Sequence, residues 1–354
     1  MRVVHLVDLR FAPWSVLAGV IDARAGGGEH AVVLLGGTTA LSRARAAGVP
    51  VDLRLAPPVG SPRACRSVLG RALAGLGPFD VMHAWSGESC VLAEDVCAGA
   101  AVVASVFESP ACMAARKARR AVDSMRRASA LQFGDEVTRG AWLDTSDPPA
   151  GEVVVGPPRI PDWGRRGDDL RRMLGIGAEM GVIVAASEPG ESIDAMLCMY
   201  IVGVLSERGM SATVIVPSDA TGLDRAERFS VYHMGKWTVR VCDRPVWECL
   251  SIADGVVVAD RAPCDGVRRF ETIVTGAQWG AMLGLPVLAP RVERYERVLR
   301  GDVRWVEAGD RLGFVRAAHD VLRARPGGGC APARPDDGDA PVDRLYRLCG
   351  LVNA

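Results

Sequence analysis

The chain has 354 residues, enough for two domains of ordinary size, each with its own core. Lysine plus arginine and aspartate plus glutamate both total 42, so the formal charge is zero and the long-range positive field of nucleic-acid proteins is missing. The ten cysteines stand singly, at 65, 90, 97, 112, 198, 242, 249, 264, 330 and 349, with no Cys-x-x-Cys pair, which indicates neither a zinc motif nor a disulfide framework.

Several of these cysteines sit inside apolar runs, where a reduced thiol behaves as a small hydrophobe, so a cytoplasmic protein is expected. Asp8 and Arg10 interrupt the N-terminal apolar run before a signal-peptide core forms. The longest apolar run, 195–205, falls short of the roughly 20 residues of a membrane span.

Short apolar runs alternate with stretches of helical spacing, the pattern of parallel sheets covered by helices, and the chain does this twice. In the first half, strands are expected at 3–7, 31–35, 51–55, 81–84, 101–106, 128–133 and 152–155, with helices at 15–25, 40–47 and 61–76. A Pro- and Gly-rich crossing at 156–161 marks a domain boundary, followed by a polar helix at 168–174. Strands then recur at 182–186, 212–216, 238–242, 255–259, 286–289 and 304–306, and helices at 192–208, 244–252, 267–283 and 312–323. The expected division is a first domain over 1–158, a second over 159–325, a flexible link over 326–342 rich in Gly, Pro and Asp, and a last amphipathic helix over 343–354.

Residues 270–290, FETIVTGAQWGAMLGLPVLAP, read as a helix that ends at Gly284 and feeds a buried strand through Leu285 and Pro286. This stretch resembles the donor-sugar segment of retaining, family-four-like glycosyltransferases of the GT-B fold, whose signature is Glu, seven residues, Glu, then Ala-Met-Ala-x-Gly-x-Pro-Val-Val. Three further stretches share the resemblance: 78–85 (PFDVMHAW), 151–158 (GEVVVGPP) and 251–259 (SIADGVVVA). The resemblance implies an α/β protein of two Rossmann-like domains facing across a cleft, with a C-terminal helix returning to the first domain.

It also implies metal-independent sugar transfer from a nucleotide-sugar donor to a glycan, lipid or small-molecule acceptor, with no cofactor. Glu271 takes the position of the family's first Glu, the catalytic candidate, and Val274 and Thr275 take the helix start whose N–H groups face phosphate. Other positions depart from the pattern. The family's donor-binding Arg and Lys appear here as Ser187 and Glu191, and an acid repels a diphosphate. The second Glu, which holds the ribose, is Trp279; an indole accepts no hydrogen bond but stacks on a base or sugar, and a core position is the alternative. On the acceptor side, the family's His is replaced by Phe107, which moves no proton, followed by Glu108, either a proton carrier or an exposed loop carboxylate.

These departures leave a second reading open: a catalytically silent relative that acts as a binding or scaffold protein with a protein partner. Arg116, Lys117, Arg119, Arg120, Arg126 and Arg127 form a basic stretch at helical spacing beside Met113, Val122 and Met125, either a peripheral contact to the inner face of a membrane or a solvated helix face. Asp337-Gly338-Asp339 matches a metal motif by letters but lies in the polar link, and His83 on a buried strand reads as a core histidine.

Overall fold

Apolar runs too continuous for a one-faced sheet require both faces to be covered, and the computed structural model of the protein covers them. It describes residues 1–10, 12–55, 62–97, 99–143, 149–161, 167–186, 193–233, 239–259, 275–324 and 341–348. By contact, the chain divides into two units, Met1–Pro161 with the C-terminal helix, and a second that begins at Asp162.

In the first unit, strands β1 (Arg2–Asp8), β2 (Glu29–Leu35), β3 (Leu53–Leu55), β4 (Val81–Ala84), β5 (Ala101–Val106), β6 (Ala130–Phe133) and β7 (Glu152–Val155) form one sheet in the order β3-β2-β1-β4-β5-β6-β7. Every pairing is parallel. Helices α1 (Pro13–Ala25), α2 (Thr38–Ala46), α3 (Pro62–Leu76), α4 (Gly87–Val96), α5 (Ala115–Arg126) and α6 (Glu136–Trp142) make the crossovers. Gly19 lets α1 approach the sheet, since a Cβ there would stand 2.2 Å from the Trp85 ring.

The second unit repeats the plan. Helix α7 (Gly167–Met173) leads into β8 (Gly181–Ala185), α8 (Ala195–Glu207), β9 (Ala212–Val216), α9 (Leu223–Tyr232), β10 (Val239–Val241), α10 (Val246–Leu250) and β11 (Gly255–Val257). There follow α11 (Thr275–Met282), β12 (Val287–Arg291), α12 (Glu293–Val298), β13 (Val303–Glu307) and α13 (Arg311–Arg323). The sheet order is β10-β9-β8-β11-β12-β13, again parallel throughout. Both units thus run outward from their first strand and then reverse, a doubly wound order whose switch point lies between β1 and β4 in one and between β8 and β11 in the other. Ligands of such sheets bind at the carboxyl ends of the strands beside that switch.

Helix α14 (Pro341–Leu348) packs on β6, β7 and α1, with Leu345 and Tyr346 buried. The polar link expected at 326–342 lies outside the described residues except for the first turn of α14. Helices α4, α6, α9 and α12 have no counterpart among the expected elements. No helix among the described residues is long and apolar enough to cross a membrane.

Candidate functional site

The second unit brings the end of β8 against the start of α11. Gly276, the second residue of α11, sits so close to Ala186 that a Cβ on it would lie 2.8 Å from the Ala186 carbonyl oxygen. Helix and strand meet backbone to backbone because both positions carry almost no side chain. Thr275, the first residue of α11, is 1% exposed, and its hydroxyl is buried with no hydrogen-bond partner among the described residues. Among the described residues, none supplies the acceptor that such a hydroxyl requires. In the same unit, the Asp194 N–H donates to the Ala259 carbonyl at 2.7 Å, joining the chain segments that follow β8 and β11, and the Asp194 carboxylate caps α8 by accepting from the Met196 and Leu197 N–H groups. At its far end α11 stops at Gly284 in the left-handed conformation (φ 76), where the Leu285 N–H closes on the Gly280 carbonyl and the chain enters β12.

Ser187, Glu191, Glu271 and Val274 lie outside the described residues. Trp279 takes the core alternative: it is fully buried, edge-to-face with Trp247 at 5.7 Å, and presents no ring face to a base or sugar. Its one-turn offset from Thr275 puts it on the helix side that packs into the unit.

In the first unit the carboxyl edge of the sheet is filled by the protein's own side chains. Phe107 is fully buried and stacks on Trp85 with ring centroids 6.3 Å apart. Glu108 corrects the expectation of an exposed loop carboxylate. It is 1% exposed, its Oε1 accepts the Gly87 N–H at the start of α4 at 2.7 Å, and its carbonyl accepts the Trp142 indole N–H at 2.6 Å. Burial pushes its carboxyl up to about 7; the Gly87 N–H opposes the shift and the nearby Asp8 charge adds to it. Asp8 is gripped by Arg10, which also reaches Glu88 at 2.6 Å, and Glu88 in turn holds Lys117 at 2.9 Å.

The basic stretch divides along α5. Lys117 pairs with Glu88, Arg120 with Asp95 at 2.8 Å, and Arg127 with Glu94 at 2.7 Å, so acidic residues of α4 answer three of the six cations. Its apolar residues are used internally: Met125 is buried in the first unit's core, and Met113 and Val122 pack against the same core. Arg116 and Arg119 remain exposed.

Two hydrogen-bonded polar runs, in ring contact through His83 and Trp85, lie in the first sheet, and sequence reasoning found only His83 of them. The Gly27 carbonyl accepts from His30 Nε2 at 2.9 Å, so His30 Nδ1 is left to accept from His5 Nε2 at 2.9 Å, and His5 Nδ1 accepts the Trp85 indole N–H at 3.1 Å. In the same way Ser105 gives its proton to Gln132 at 2.8 Å, which makes His83 Nε2 the donor to Ser105 at 2.8 Å and Tyr346 the donor to His83 Nδ1 at 2.8 Å. All three imidazoles are therefore neutral, and burial drives His83 down to about 3. The Tyr346 bond ties α14 to β4 across 263 residues of sequence.

No family model matches the sequence, and no curated protein does. Solved structures match over nearly the whole chain. The Anabaena protein HepE (Alr3699), solved with UDP and glucose, has 15% identity and a TM-score of 0.61, with 92% of this chain and 90% of that chain covered. A UDP-GlcNAc 2-epimerase from Methanocaldococcus jannaschii has 11% identity and a TM-score of 0.63, with 99% of both chains covered. Sucrose-phosphate synthase from Thermosynechococcus elongatus has 13% identity and a TM-score of 0.57, with 92% and 90% covered. With the two doubly wound sheets, these likenesses define a GT-B-fold protein built of two Rossmann-like units. At such identities the fold is what is shared.

Proposed function

We propose that the protein binds a nucleotide sugar, with UDP as its nucleotide, at the corner formed by the end of β8 and the start of α11, and transfers the sugar to a glycan, lipid or small-molecule acceptor. The observation that carries this reading is the buried Thr275 hydroxyl at the positive end of α11, unpartnered among the described residues. A diphosphate oxygen would accept from that hydroxyl, and the N–H groups of the helix's first turn would supply further donors. The approach of α11 to Ala186, which Gly276 permits, brings the start of the helix to the carboxyl end of β8. In retaining transfer the departing diphosphate gains charge, and donors aimed at it lower the barrier without a resident metal. Glu271 would orient the sugar.

The structures solved with UDP or UDP-sugars are the reason for choosing uridine. Titration calorimetry with UDP, UDP-glucose and UDP-N-acetylglucosamine tests the reading. At least one is expected to bind, and Thr275→Val should weaken that binding by roughly 10-fold, the worth of one hydrogen bond to a charged group. No binding by any of the three refutes the site. Release of UDP with an acceptor separates transfer from epimerisation, which releases none.

A second reading is a silent binding protein. What favours it is Phe107, sealed against Trp85 where the resemblance expects a proton-carrying His. Tight binding without turnover on any acceptor would support it.

A further inference from the structure

Six residues separate Cys242 from Cys249, and that spacing alone marks no pair. Cys242 follows β10, its N–H bound to the Val216 carbonyl at 2.9 Å; the chain then turns at Pro245 into α10, which carries Cys249. This strand-to-helix turn sets the two sulfurs 3.7 Å apart, and both thiols are free. Cys249 lies deep, at 3% exposed, and Cys242 nearer the surface, at 7%, next to Val241 at 37%.

The two thiols are not equivalent. Cys249 donates its S–H to Cys242, and this bond holds the Cys242 thiol below its ordinary value, helped by the Arg244 backbone N–H and guanidinium and opposed by burial. Cys249, sharing that proton and fully buried, is pushed up. Cys242 is thus the sulfur that ionises first. By contrast, burial pushes Cys90 up to about 12 and Cys97 up to about 11, as inert structural thiols.

We propose that Cys242 and Cys249 form a reversible dithiol/disulfide couple, oxidised by peroxide and restored by a dithiol reductant. The Cys242 thiolate attacks one peroxide oxygen; the O–O bond breaks, the leaving hydroxide takes up a proton to become water, and Cys242 becomes a sulfenic acid. The Cys249 sulfur, losing its proton, then attacks the Cys242 sulfur; the S–S bond forms, the S–O bond breaks, and a second water leaves. Two thiols and one peroxide give one disulfide and two waters. Closure shortens the sulfur separation by about 1.6 Å, to the bonded length. Trp247, two residues before Cys249, lies on Trp279, so closure moves a helix packed against α11.

The test uses the full chain, reduced, freed of reductant, treated with hydrogen peroxide while folded, then unfolded in iodoacetamide and digested with trypsin. Trypsin does not cut Arg244-Pro245, so both cysteines fall in one peptide, from Val241 to Arg261. The oxidised wild type should give this peptide unalkylated and about 2 Da lighter than its dithiol form, and dithiothreitol should restore both alkylations. In Cys249→Ser, Cys242 should stop at the sulfenic acid and react with dimedone; in Cys242→Ser, Cys249 should stay alkylatable at the same peroxide dose. Full alkylation of both cysteines in oxidised wild type overturns the proposal, as does oxidation of Cys242 to sulfinic acid with Cys249 untouched. The wild-type measurement decides alone if a variant fails to fold.

Discussion

Glu108 is the group whose replacement has the most calculable effect. Its carboxyl titrates near 7 when folded, against 4.5 unperturbed, because burial opposes the charge more than the Gly87 N–H favours it. The raised folded value means that the folded chain holds the proton more tightly than the unfolded chain does. The stability from this group is whole below about pH 4.5 and is lost as pH rises through about 7. Glu108→Gln keeps the shape and the acceptor for Gly87 while removing the ionisation. The variant should therefore unfold at higher urea than wild type, by about 3 kcal/mol at pH 8, narrowing to about 1 kcal/mol at pH 5, since a tenfold difference in proton affinity between the folded and unfolded chain is worth about 1.4 kcal/mol. Urea titrations of both proteins at pH 8, 6 and 5 measure the gap, and the neutral imidazoles of the polar runs cancel because both proteins carry them. A gap that is absent at pH 8, or that does not change with pH, would show that Glu108 is solvated or paired and would refute the account of its burial.

Two further outcomes follow from the same packing. Gly276→Ala should cost about 1 to 3 kcal/mol in urea unfolding and weaken UDP-sugar binding in calorimetry, because the new methyl meets the Ala186 carbonyl at 2.8 Å and backbone must give way; unchanged stability would mean that α11 and β8 do not meet as described. Tyr346→Phe should cost about 1 to 3 kcal/mol, since it leaves the buried His83 Nδ1 without its donor. A denaturant midpoint equal to wild type would place α14 away from β4.

The strands were legible because a parallel strand buried on both faces must be apolar without alternation. The runs at 81–84, 101–106, 152–155 and 212–216 coincide with β4, β5, β7 and β9. The run at 51–55 overshoots β3 because Asp52, inside it, turns its carboxylate to the Val32 N–H at 2.7 Å before the ladder begins. Helix α4 hid behind its Gly87-Glu88-Ser89 start, although its cap was present in the letters: the Ser86 hydroxyl accepts the Ser89 N–H at 3.0 Å. What could not be read is whatever depends on distant pairing. His83 meets Tyr346 across 263 residues, Glu108 meets Gly87 across 21, and neither spacing has a period to detect. The motif located Trp279 by position, but its ring meets Trp247, which no motif includes.

Both units share one winding, so the fold alone offers two equivalent carboxyl edges, each with a switch point able to hold a ligand. The side chains break that equivalence. Among the described residues, the first unit's edge is closed by Phe107, Glu108 and Trp142 and by the ion-paired run from Asp8 through Arg10 and Glu88 to Lys117, each polar member already partnered. Among the described residues, the second unit's edge, where β8 meets α11, holds Ala186 and Gly276 packed backbone to backbone and Thr275, whose buried hydroxyl has no acceptor there. An edge whose polar groups are satisfied gains little from a ligand, while an edge with a buried unmet donor gains the full value of the bond it lacks. That asymmetry is the energetic ground for the proposal that the second unit's edge takes the nucleotide.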